Sequence, residues 1–259
     1  MSRGKKLYAL ILTGHAVIGA HLHPWVTPPE IEDISARNSY PGNLPESLER
    51  AKLETLVTAI TRTFGERPHI YLAGRYGVGP NTPTILTELG FTIDVSTCVP
   101  LDSSEDGGPD YSACSNEPFW LGSGRALLGI PCTGAFIGWA PTRRALHRVA
   151  THPSIALLRL PGVLARLRVV DRLALTPEGF TLDELRRLTR ALLASGVRSF
   201  VFYFHSPSVL PGCTPYVRNE DELTGFQQTC DRFLEFFRRE LGGKMATLGE
   251  IRAVCEGAS

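Results

Sequence analysis

This chain lacks the marks of several function classes. No apolar run reaches the ~18 residues that a membrane-spanning helix needs, so none is expected. Charge of either sign is not in excess. With 27 basic and 26 acidic residues the net charge is +1, which gives no bulk field for nucleic acid or an anionic membrane. No Cys-x-x-Cys pair occurs among Cys98, Cys114, Cys132, Cys213, Cys230 and Cys255. That spacing speaks against a zinc ribbon and favours reduced thiols in a cytoplasmic chain. Acidic residues are missing from the start, where nothing before His15 carries a carboxylate. What is present is ample for a folded core: 259 residues, 43% of them apolar. No internal repeat, interdomain linker or low-complexity tract breaks residues 1–259, which read as a single domain.

The N-terminus allows two readings. Arg3, Lys5 and Lys6 ahead of Leu7–Leu12 have the form of a short signal peptide, but Thr13, Gly14 and His15 interrupt the apolar stretch. The favoured alternative is a helix over Lys5–Leu12 stopped by Gly14.

Beyond it, hydrophobic periodicity predicts alternating elements. Leu48, Leu53, Leu56, Val57 and Ile60 recur at helical spacing and predict a helix over Glu46–Phe64, closed by Gly65. Short strands are expected at Pro68–Ala73, Phe91–Val95, Leu127–Thr133 and Leu173–Leu175. Between them Asn81 or Thr82 opens a helix to Leu89, residues 100–125 read as loop, and a short helix is expected at Arg143–Val149. Thr181 with Glu184 forms a capping box for a helix to Ala194, and Asn219 with Glu222 opens another through Phe237. Val197–Phe204 has the composition of a strand. Strands alternating with helices predict an α/β fold with a parallel sheet or barrel, whose reactive residues gather at strand C-termini.

Three groups stand at such ends. His21 and His23, in Ala-His-Leu-His-Pro-Trp, are two residues apart, so an extended backbone points both imidazoles to one side. Such a pair can chelate a divalent metal, or can satisfy backbone groups in a turn before Pro24. His205 follows Phe200-Val201-Phe202-Tyr203-Phe204 and can act as a general acid or orient the next loop. Arg75, between Gly74 and Gly77, can hold an anion, or make a structural salt bridge, the commoner fate of a lone arginine.

These residues carry a resemblance. Gly14-His15, Ile18-Gly19 and His21 are similar to the Gly-His-Glu-Ile-Gly-x-His signature of polysaccharide deacetylases, the NodB-homology domains of carbohydrate esterase family four. Ala-His-Leu-His-Pro-Trp, Ala-Gly-Arg-Tyr-Gly and Phe-His-Ser-Pro-Ser resemble a branch associated with surface polysaccharides, over about residues 10–250. The resemblance implies a distorted seven-stranded (β/α) barrel. It implies hydrolysis of N-acetyl groups on a glycan or glycolipid by a divalent metal, commonly zinc, held by one aspartate and two histidines. A second aspartate activates water and a late histidine protonates the amine. Carried over, His21 and His23 are metal ligands, His205 and Arg75 catalytic, and Trp25, Tyr76 and Ser206 substrate contacts.

The departures are as informative as the matches. The family's Asp-Asp strand has no counterpart before His15, which implies that this strand and the first βα unit precede residue 1. Trp25 holds the place of the usual second metal histidine, so His23 must substitute. Leu72 stands where an arginine often opens the central turn. Asp94, Asp102 and Asp110 are the carboxylates left to replace the missing pair. A second expectation is therefore a non-catalytic carbohydrate-binding or scaffold protein. A glycosidase would need two facing carboxylates, and the sequence offers no such pair.

Overall fold

A computed structural model describes residues 16–257 except 123, 141–142, 151–161, 163 and 165–168. The expectations for Lys5–Leu12, and for Gly14-His15 in the signature, lie outside these residues. The chain divides into two compact units. Unit 1 comprises residues up to Thr97 with Asp102–Asp110 and Pro118–Ile130. Unit 2 comprises Cys98–Leu101, Tyr111–Glu117 and the residues from Pro131 onward.

Unit 1 is built on a five-stranded sheet. Its strands are β1 (Ala20–Leu22), β2 (Ile70–Ala73), β3 (Ile93–Asp94), β4 (Phe119–Leu121) and β5 (Leu127–Gly129), in the order β1-β2-β3-β5-β4. All neighbours are parallel except β4, which runs antiparallel to β5. Register sets Ala20 opposite Tyr71 and Leu22 opposite Ala73. All four are buried. The two-residue period that buries Ala20 and Leu22 turns His21 outward. Helix α1 (Glu46–Phe64) has the predicted bounds, closed where Gly65 takes the left-handed φ of 82°. It lays Leu53 and Val57 on the sheet, and α2 (Thr82–Glu88) adds Ile85 and Leu86.

Unit 2 holds an antiparallel pair, β6 (Gly134–Ile137) with β7 (Asp171–Ala174). Its helices among the described residues include α3 (Arg143–Ala150), α4 (Leu182–Ala194), α5 (Glu220–Glu235) and α6 (Leu248–Gly257). The capping box of α4 is made in both directions between Thr181 and Glu184. A π-helical turn, Phe236–Glu240, continues α5. The core joins Leu173 and Leu175 to Leu185, Leu188 and Leu192 of α4 and to Phe233 and Phe236.

The α/β class therefore holds, with a parallel sheet and covering helices. No closed barrel is detected among the described residues. The strand expected over Leu127–Thr133 shortens to β5, and β4 lies inside the segment read as loop. Val197–Phe204 forms no ladder. Phe200 and Phe202 pack on the core as their alternation requires. The backbone, however, finds separate partners, with Val201 N–H donating to Thr133 Oγ1 and Tyr203 N–H to the Leu175 carbonyl. Alternation records which side chains are buried, and a ladder needs a continuous partner as well. No helix among the described residues is long and apolar enough to cross a membrane.

Candidate functional site

In unit 1 the end of β1 presents three adjacent rings. The His21 and His23 ring centroids are 4.4 Å apart at 81°, and His23 lies 4.6 Å from the Trp25 ring. His21 Nδ1 is 2.9 Å from the Leu72 carbonyl oxygen, which can only accept, so Nδ1 carries the hydrogen. Nε2 of this exposed ring is the remaining nitrogen for a metal or a proton, oriented by a backbone carbonyl as metal-bound histidines commonly are. Pro24–Val26 form a single 3-10 turn after His23, which aims Trp25 outward at 43% exposure.

The glycine turn after β2 closes on this strand. A Cβ on Gly74 would lie 2.4 Å from the Leu22 carbonyl oxygen and 2.5 Å from His23 Nδ1, so only glycine fits there. Arg75 and the half-buried Tyr76 follow with φ of 53° and 60°, the left-handed region. The Arg75 guanidinium donates to Ser39 Oγ at 2.6 Å and to Asp106 Oδ2 at 2.7 Å, and stacks 4.3 Å above the Tyr40 ring. Its outer nitrogens thus tie together two loops, the salt-bridge alternative of the sequence reading. Trp25, Arg75 and the 32–39 loop line a cavity of about 350 Å³, near the lower end of small-ligand sites.

The fit to a metal is half complete. Two imidazoles are placed side by side, but no group of three or more His, Cys, Asp or Glu is arranged to hold an ion among the described residues. Asp94, one candidate replacement, is buried in β3, with its Oδ1 taken by the Ser96 N–H and hydroxyl. Burial pushes its carboxyl up to about 6 against the lowering effect of Ser96. Asp102 Oδ1 accepts from Ser104 N–H at 3.1 Å and its hydroxyl at 2.7 Å. Asp102 also bridges Asp110 through the backbone.

In unit 2, His205 caps the 3-10 turn Ser206–Val209 and its side chain is 61% exposed, while that of Glu178 is 4% exposed. Glu178 Oε2 lies 2.7 Å from His205 Nδ1, and Oε1 accepts from the His205 backbone N–H at 3.0 Å and from the Ser208 hydroxyl. Three donors fix this carboxylate, which in turn fixes the imidazole and leaves Nε2 toward solvent. Ser206, singled out from the sequence, is exposed in the turn, and the buried Ser208 makes the bond to Glu178.

Sequence reasoning missed Glu178, Ser208, Lys52 and Glu32. Glu178 had a signal, a carboxylate four residues past Ala174, the end of β7. Lys52 had one too: with Glu49 it falls on the 49-52-53-56-57-60 stripe that faces the core.

No family model matches the chain, and no curated protein matches it. A crystal structure from Mycobacterium smegmatis, provisionally assigned as a polysaccharide deacetylase, is similar to this chain at 21% identity and a TM-score of 0.34. The match covers 50% of this chain and 35% of that one. At that level the likeness adds nothing to the residues themselves.

Proposed function

We propose that the protein is a deacetylase-like protein acting on N-acetylated glycans. The observation that carries this reading is the pair of adjacent imidazoles beside an exposed tryptophan and its cavity. His21 and His23 would hold a divalent metal, zinc being the usual ion for imidazole ligands. Such an ion supplies Lewis acidity, polarising an amide carbonyl and making water a better nucleophile. Trp25 offers an apolar face to a sugar ring, and Tyr76 belongs to the same turn as Arg75. Arg75, held by Ser39 and Asp106, keeps the wall of that cavity rigid. His205, with Nδ1 bonded to Glu178, keeps Nε2 as the ring nitrogen that can give or take a proton, the role of a general acid. The amide C–N bond breaks, water oxygen joins the carbonyl carbon to give acetate, and the amine takes the proton.

One observation favours a second reading. No carboxylate joins the histidine pair among the described residues, and two imidazoles alone bind metal weakly. Glycan binding without turnover would follow. Both readings are decided by incubating the full chain with N-acetylglucosamine oligomers and zinc or cobalt. The first predicts acetate release that His21→Ala and His205→Ala abolish. Binding of the oligomers with no acetate released, unaffected by a chelator, establishes the second. Neither binding nor release overturns both.

A further inference from the structure

The charged side chain of Lys52, on α1, has no exposure. Its ammonium lies 3.0 Å from the Pro24 carbonyl, 2.6 Å from Thr27, 2.7 Å from Pro29 and 2.9 Å from Glu32 Oε1. Three carbonyls and a carboxylate around one cation form a nest of the kind a loop builds around a bound ion. All four oxygens come from one segment, and that segment begins directly after His23. Burial alone would push the Glu32 carboxyl up, but the hydrogen bond and charge of Lys52 hold it below its ordinary value.

A helix lysine at this position could have pointed to water. Burying an ammonium is unfavourable unless its hydrogens are all taken, and here the oxygens that take them set the path of residues 24–32. Pro24 carries the chain from His23 into the turn that aims Trp25, and Glu32 lines the Trp25 cavity. We infer that Lys52 is a positioning residue: its ammonium is the internal cation around which the 24–32 segment winds, and through that backbone it sets His23 and Trp25. The inference deepens the proposed function and rests on the reading of His21 and His23 as a metal clamp.

The experiment uses the full chain with Trp120→Phe and Trp139→Phe, which leaves Trp25 as the reporter. Zinc affinity and Trp25 emission are measured at low temperature for this background, for Lys52→Ala and for Lys52→Met. We expect both variants to weaken zinc binding about 10-fold, the low end of the effect of groups bonded directly to a metal ligand, and to shift Trp25 emission. Propylammonium should restore both signals in Lys52→Ala, whereas tetramethylammonium, which has no N–H, should not. A purely stabilising lysine would lower the melting temperature and leave both signals unchanged in the folded variants, and that result overturns the inference. Should the background bind no zinc, the clamp reading fails and the Trp25 signal alone decides the role of Lys52. Should neither variant fold, folding restored by propylammonium but not by tetramethylammonium supports the nest, and failure of both amines refutes it.

Discussion

Glu49 is a buried carboxyl whose protonation bears directly on the fold. It is fully buried on α1, accepts from the Thr82 hydroxyl at 2.5 Å, and is raised from 4.5 to about 7. Burial is the main cause, opposed by the Thr82 bond and reinforced by the charge of Glu46. The folded state thus holds the proton more tightly than the unfolded chain. Its contribution to stability is fully present below 4.5 and is lost as pH rises through about 7. The full difference is roughly 3 kcal/mol at most. Glu49→Gln keeps the acceptor for Thr82 and never ionises. Urea denaturation should therefore find it close to the parent at pH 5 and more stable by up to roughly 3 kcal/mol at pH 8.5. A difference that does not change with pH would contradict a neutral, buried carboxyl. Lys52 and Glu49 share a face of α1 yet meet opposite fates, because Lys52 finds oxygens for its hydrogens and a counter-charge, while Glu49 finds a single hydroxyl.

The elements were legible to different degrees, for physical reasons. Helix α1 could be read to the residue, since its start follows Pro45 and its stop is a glycine in the left-handed region. The starts of α4 and α5 were legible because Thr181 and Asn219 are caps whose side chains accept from the third backbone N–H of each helix. Thr181→Ala removes that bond and the hydroxyl's own bond to the Glu184 carboxylate, while the backbone N–H of residue 181 still donates to Glu184. It should destabilise the protein by about 1 kcal/mol, seen as a lower urea midpoint with unchanged slope, whereas Thr181→Asp should retain most of the stability. Segment 197–204 was not legible as it stands, because side-chain alternation does not reveal which backbone lies alongside. At the site, the histidines and Trp25 announced themselves by type and spacing. Glu178 and Lys52 stood out only by position, and their roles were hidden because they depend on residues 27 and 25 positions away in sequence, His205 and Thr27.

At the scale of the molecule, the chain carries two hydrophobic clusters, each drawn wholly from one unit. Leu53 belongs to the first, with Ala20, Leu22, Val57 and Tyr71, and Leu188 to the second, with Leu173, Leu185 and Phe233. Both leucines are fully buried. Truncation of either to alanine should cost about 2–5 kcal/mol, from lost burial and the cavity left behind. The functional residues divide in the same way: His21, His23 and Trp25 stand on the first core, and His205 with Glu178 beside the second. The two clusters share no member. Leu53→Ala and Leu188→Ala should therefore be additive within about 0.5 kcal/mol in a double-mutant cycle. Single-site readouts should separate too, with Leu53→Ala altering Trp25 emission and Leu188→Ala altering the His205 imidazole resonances. A coupling well above that margin, or either substitution moving both signals below its melting range, would show that the two cores stabilise one another.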